Sequence, residues 1–140
     1  MKLAVIPPLK RVKDVAKRDT QLLLPQLMYD ENYYMQYTEL RPEGQYRILD
    51  NGVAEGCEIT PTKLYQFAKA VQANEVVIND VYGDGEASEE ILRGWQPVGG
   101  FKHMYVVHGR SLSAVFERAL VAQQFEFVTW CDSLLSAETI

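Results

Sequence analysis

Glu75-Val76-Val77-Ile78-Asn79-Asp80 is the stretch on which the fold turns, with Tyr105-Val106-Val107-His108-Gly109 as its companion. Val76-Val77-Ile78 and Tyr105-Val106-Val107 are continuous apolar runs rich in β-branched residues, not alternating ones. That is the pattern of strands covered on both faces, as parallel sheets require. Both runs end on polar residues, Asn79-Asp80 and His108, with glycine close behind.

Working outward, four more short runs carry strand signals: Leu3–Ile6, Leu22–Leu24, Tyr46–Leu49 and Phe125–Thr129. The two central strands extend over Glu75–Asn79 and His103–Val107. Helical stretches lie between them. Leu9, Val12, Val15 and Ala16 recur at helical spacing. Thr60-Pro61 reads as an N-cap followed by proline in the first turn, ahead of Leu64, Phe67, Ala68 and Val71. Ser111 can cap a last helix in which Leu112, Val115, Phe116, Ala119 and Leu120 form one apolar stripe. Asp30–Leu40, rich in tyrosine, and Glu86–Trp95 complete the set.

Strand and helix therefore alternate with a repeat of roughly 19 to 29 residues, which implies an α/β fold with a mostly parallel sheet and helical crossovers. An open doubly wound sheet normally announces a nucleotide site by a glycine-rich first turn, but the first turn here is Ile6-Pro7-Pro8-Leu9. A complete (β/α) barrel takes ~250 residues. The expectation is an incomplete (β/α) TIM-type barrel of about six strands. No linker or repeat divides it, so residues 1–140 read as a single partial-barrel domain.

The composition of the 140 residues, 47% hydrophobic and 24% charged, excludes a disordered or fibrous chain. No run reaches the ~18 apolar residues of a membrane span, and no secretory pattern opens the chain. Cys57 and Cys131 have neither disulfide-framework nor metal-site spacing, which fits a reduced, cytoplasmic protein with no membrane partner. Charge is uneven. The net is −5, yet Lys10, Arg11, Lys13, Lys17 and Arg18 cluster near the start. An acidic chain is a poor general polyanion binder, so contact with tRNA or DNA would fall on this local basic patch, which otherwise reads as a solvated helix face.

Parallel α/β folds build their sites beyond the carboxyl ends of strands. Four consecutive strand ends deliver Asp50, Asp80, His108 and Asp132. Each has a bland reading. Asp50-Asn51-Gly52 suits a turn, Asp80 and Asp132 suit helix caps, and His108 suits a satisfied buried histidine. Together they support three chemistries: a divalent metal site, though without a closely spaced ligand pair; acid/base and nucleophilic work by carboxylates at a glycosidic bond; or the reading of a planar heterocycle. Motifs for serine or cysteine nucleophiles are absent from the sequence.

At these same residues the sequence resembles the tRNA-guanine transglycosylase superfamily, above all its compact phage and bacterial relatives associated with 7-deazaguanine modification of DNA. Tyr46-Arg47-Ile48-Leu49-Asp50-Asn51-Gly52-Val53-Ala54-Glu55 is similar to the family's Asp-Ser-Gly-Gly segment. Glu75–Asp80 resembles the following strand, whose aspartate recognises the base, and Tyr105–Gly109 falls where the family has Gln-Gly. The resemblance implies Asp50 as the catalytic acid/base aspartate, and Asp80 on the Watson–Crick-like edge of guanine or a 7-deazaguanine. It implies His108, in place of glutamine, on the base carbonyl, with Asn51, Gly52 and Gly109 allowing close approach of the ring. The implied reaction is base exchange by a pentosyltransferase through double displacement.

The family's nucleophilic aspartate and zinc ligands lie on later strands, so no metal or other cofactor is expected in this chain, which reads as incomplete as an enzyme on its own. A non-catalytic subunit that completes a barrel with a partner chain or a second copy is the alternative, and a metal-dependent hydrolase or lyase is a further one.

Overall fold

A computed structural model describes residues 3–125 and 127–131 and divides the chain into two compact units, Met1–Val76 and Val77–Ile140. The class is α/β. Among the described residues five strands, β1 (Thr20–Leu23), β2 (Tyr46–Leu49), β3 (Glu75–Val77), β4 (Lys102–Val107) and β5 (Val128–Cys131), alternate with helices. The boundary between the units falls inside β3, which is why no linker marks it in the sequence.

In the first unit β1 pairs with β2 in parallel, Thr20 opposite Tyr46 and Leu23 opposite Leu49, and β2 pairs with the start of β3 in parallel, Leu49 opposite Val76. Helix α1 (Val12–Val15) is a single turn that buries Val12 and, just beyond it, Ala16. Helix α2 (Glu31–Glu39) starts where the Asp30 carboxylate accepts from the Tyr33 amide. It buries Tyr33 and Tyr37, one turn apart, with ring centroids 4.8 Å from each other. Helix α3 (Pro61–Ala70) begins with the Thr60 hydroxyl accepting from the Lys63 amide, and it turns Leu64, Phe67 and Ala68 inward.

Period-two alternation places Arg47 and Leu49 on the buried face of β2. The guanidinium of Arg47 has no carboxylate partner among the described residues. It donates instead to the carbonyls of Tyr37, Val71 and Leu40 and to the side-chain carbonyl of Gln45, and lies 5.2 Å from the centroid of the Tyr37 ring. Gln45 in turn donates to the carbonyls of Ala16 and Arg18, and Tyr37 donates to Gln21. One buried polar network thus closes the loops at the amino ends of β1 and β2. Burial lowers the Arg47 pKa to about 10, with Arg41 adding to the effect, and pushes the Tyr33 and Tyr37 phenols well above their ordinary range.

In the second unit the Ile78 amide donates to the Met104 carbonyl, and β4 pairs with β5 in parallel, Met104 opposite Val128 and Val107 opposite Cys131. Helix α4 (Gly85–Gly94) is capped by Asp84, whose carboxylate accepts from the Ala87 amide, and helix α5 (Leu112–Gln124) by Ser111, which accepts from the Ala114 amide.

Three expectations are corrected. The six-strand barrel is not found: among the described residues there are five strands, with β1, β2 and the start of β3 paired in parallel in the first unit and β4 with β5 in the second. Leu3–Ile6 is not a strand: Val5 alone bridges Gln21, because Pro7 and Pro8 cannot donate to a ladder and Leu3 and Ile6 remain exposed. The last strand starts at Val128 instead of Phe125, since α5 runs on to Gln124 and the Ala122 carbonyl accepts from the Phe125 and Phe127 amides. The α5 stripe also divides. Val115 and Ala122 are buried, whereas Leu112, Phe116 and Leu120 face solvent.

Candidate functional site

The second unit brings two of the sequence-derived residues into direct contact. Asp80 follows β3 and His108 follows β4, and the imidazole Nε2 meets the Asp80 carboxylate through Oδ2. Both side chains are nearly sealed from solvent. A buried carboxylate requires such a partner, because removing a lone charge from water is costly. Asp80 therefore does not cap α4; Asp84 does that work four residues later.

The surroundings of the pair are fixed locally. The Ser88 hydroxyl accepts from the Val81 amide at 2.9 Å and donates to the Asp84 carbonyl at 2.7 Å, which pins the loop between Asp80 and α4. Arg118 on α5 donates to the His108 carbonyl at 3.3 Å, and its guanidinium lies so close to Gly85 that a Cβ there would fall 2.7 Å from Cζ. The Tyr82 ring stands edge-on to the imidazole, with centroids 6.1 Å apart, and is 61% exposed. Tyr105, fully buried on β4, has a hydroxyl with no hydrogen-bond partner among the described residues. Its pKa is pushed up to about 12, first by burial and then by the charge of Glu89, with Asp80 contributing less.

Of the other expected residues, only Gly109 adjoins this pair in the chain. Asp50, Asn51 and Gly52 belong to the first unit, after β2, where the Asp50 amide donates to the Leu23 carbonyl. Asn51 Oδ1 accepts from the Val53 amide, an Asx turn, and Gly52 has φ +72°, with Gln26, Cys57 and Pro25 packed where a side chain would go. Burial raises the pKa of the Cys57 thiol, and the charge of Asp50 adds to that. Gly109 is closely packed too: Val115 Cγ2 sits 2.7 Å from where its Cβ would be. At both glycines a Cβ would collide with neighbouring residues, so only glycine fits without a shift. Asp132 lies outside the described residues.

Chemically, the buried pair can orient an imidazole, hold a proton between nitrogen and carboxylate, or exchange its mutual hydrogen bond for those of an incoming polar edge. Tyr105 and Ser88 were missed by sequence reasoning. A tyrosine within an apolar strand and a serine within a helix carry no signal of their own. Among the described residues no three His, Cys, Asp or Glu side chains converge as a metal site requires, and no helix is long and apolar enough to cross a membrane. No family model, curated protein or solved structure matches the chain, so its own residues carry the functional reading.

Proposed function

We propose that the chain binds guanine or a 7-deazaguanine at the Asp80–His108 pair and serves base exchange on a nucleic acid, as a transglycosylase-like protein. The carrying observation is the buried contact between a carboxylate and an imidazole at the ends of β3 and β4. A guanine edge offers donors at N1 and N2 and an acceptor at O6. A carboxylate takes the first two, and an imidazole N–H donates to the third. Before the base arrives, each group offsets the other's desolvation; on binding, that single contact is traded for several. The exposed Tyr82 ring supplies a surface on which a flat heterocycle can lie. The residues on which this reading places the base, Asp80, His108 and Tyr82, all belong to the second unit.

The experiment is thermal denaturation with guanine and with a 7-deazaguanine, using the wild-type chain and Asp80→Ala. A rise in melting temperature that the substitution abolishes is the expected result. Absence of a shift with either base, or a shift of equal size in Asp80→Ala, defeats the proposal.

A further inference from the structure

Among the described residues three tyrosines are fully buried, and two of them use their hydroxyls. Tyr33 accepts from the Leu24 amide at 3.2 Å, and Tyr37 donates to Gln21 at 2.7 Å. The third, Tyr105, has no partner among the described residues. A hydroxyl sealed from water without a partner is costly, and a partner that arrives with a ligand accounts for it. The elements that carry the Asp80–His108 pair also surround this hydroxyl. The Ile78 amide donates to the Met104 carbonyl, which brings the segment leading to Asp80 alongside Tyr105. Helices α4 and α5 pack on each other and both pack on β4. Ser88 on α4 pins the loop that follows Asp80, and Arg118 on α5 reaches the His108 carbonyl. The charges of Glu89 on α4, Arg118 on α5 and Asp80 all act on the hydroxyl, which sets it between the two helices on the side of the pair.

We propose that the Tyr105 hydroxyl is a further ligand contact, donating to a ring nitrogen of the base held by Asp80 and His108. This inference rests on the base-binding reading. That reading gives the N1, N2 and O6 edge of guanine to the pair and leaves the ring acceptors N3 and N7 to be met by another group. A phenol O–H is a donor suited to either nitrogen, and being neutral it adds selectivity without burying a further charge. Asp80 and His108 are sealed from solvent almost as completely as Tyr105, so a base that reaches the pair has already entered the interior in which the hydroxyl lies. The hydroxyl is desolvated before the ligand comes, so the bond it then makes is not offset by the loss of water.

Dissociation constants for guanine and for a 7-deazaguanine, measured on the full wild-type chain, Tyr105→Phe and Asp80→Ala, test it, with the melting temperature of each free protein recorded alongside. The expected result is a free Tyr105→Phe chain that melts no lower than wild type but binds guanine about tenfold more weakly. The 7-deazaguanine lacks the N7 acceptor, so an equal loss for both ligands assigns the contact to N3, and a loss for guanine alone assigns it to N7. A guanine constant unchanged in Tyr105→Phe overturns the proposal, and is the result expected of a hydroxyl that bonds internal water only. So does a clear fall in the melting temperature of the free variant, because the hydroxyl then has a partner within the fold. Binding that Asp80→Ala abolishes and Tyr105→Phe leaves untouched overturns this inference alone, whereas a wild-type chain that binds neither base overturns the base-binding reading with it.

Discussion

His108 and Asp80 stand 28 positions apart in the chain, yet imidazole and carboxylate are in direct contact between the ends of β3 and β4. The contact makes the two residues interdependent. Asp80→Ala leaves a buried ring nitrogen without its acceptor and is expected to cost about 1–3 kcal/mol of stability. Asp80→Asn keeps an oxygen in place and costs less. Urea denaturation of both variants checks the order, and equal losses would contradict the pairing.

Tyr105 makes the opposite case. Its hydroxyl is buried with no partner among the described residues, so its desolvation is uncompensated. Tyr105→Phe removes that penalty without changing the packing of the ring. The expected outcome is unchanged stability, or a gain of up to about 1 kcal/mol. A clear loss in the same urea experiment would reveal an internal acceptor.

How much of this was legible in the sequence follows from the range of each signal. The bounds of β2 and the caps at Thr60 and Ser111 were readable because strand runs and capping residues are local. The Asp80–His108 contact was approachable because parallel strands project their terminal residues to one end. Arg47 was not: within Tyr46-Arg47-Ile48-Leu49 an arginine reads as the solvent-facing position, and only the carbonyls gathered from α2, its loop and the end of α3 explain its burial. The α5 stripe misled for a related reason. The fold buries Val115, whose Cγ2 lies 2.7 Å from where a Cβ on Gly109 would be, and leaves Leu112, Phe116 and Leu120 exposed, a choice that periodicity does not encode.

Arg47 also gives the largest expected stability effect. Its guanidinium serves three backbone carbonyls and Gln45 at once, and a lysine ammonium cannot reproduce that planar fork. Arg47→Met strands those acceptors and is expected to destabilise by about 3–5 kcal/mol, with Arg47→Lys falling between the two. Denaturant midpoints measure this, and a loss under about 1 kcal/mol for the methionine variant would show that solvent replaces the network.

His103 is expected to make the fold less stable in acid. The ring is buried on β4, edge-on to Phe127 with centroids 5.7 Å apart, and burial lowers its pKa from the ordinary 6.5. Above that value the ring is neutral in both folded and unfolded chains, so its contribution does not vary with pH. As pH falls through 6.5 the unfolded chain takes up a proton that the folded chain resists. Stability then drops, by at most about 1.4 kcal/mol per pH unit for one proton, until the folded ring titrates as well. Carboxylates lose stability in acid too, so the wild-type profile alone does not isolate the histidine; the difference from a variant does. His103→Gln keeps a polar side chain of similar reach but has nothing to titrate. Urea midpoints for both proteins between about pH 7.5 and about pH 5 should converge as pH falls, the wild type losing more than the variant. Parallel profiles across that interval would mean that His103 accepts its proton without leaving the core.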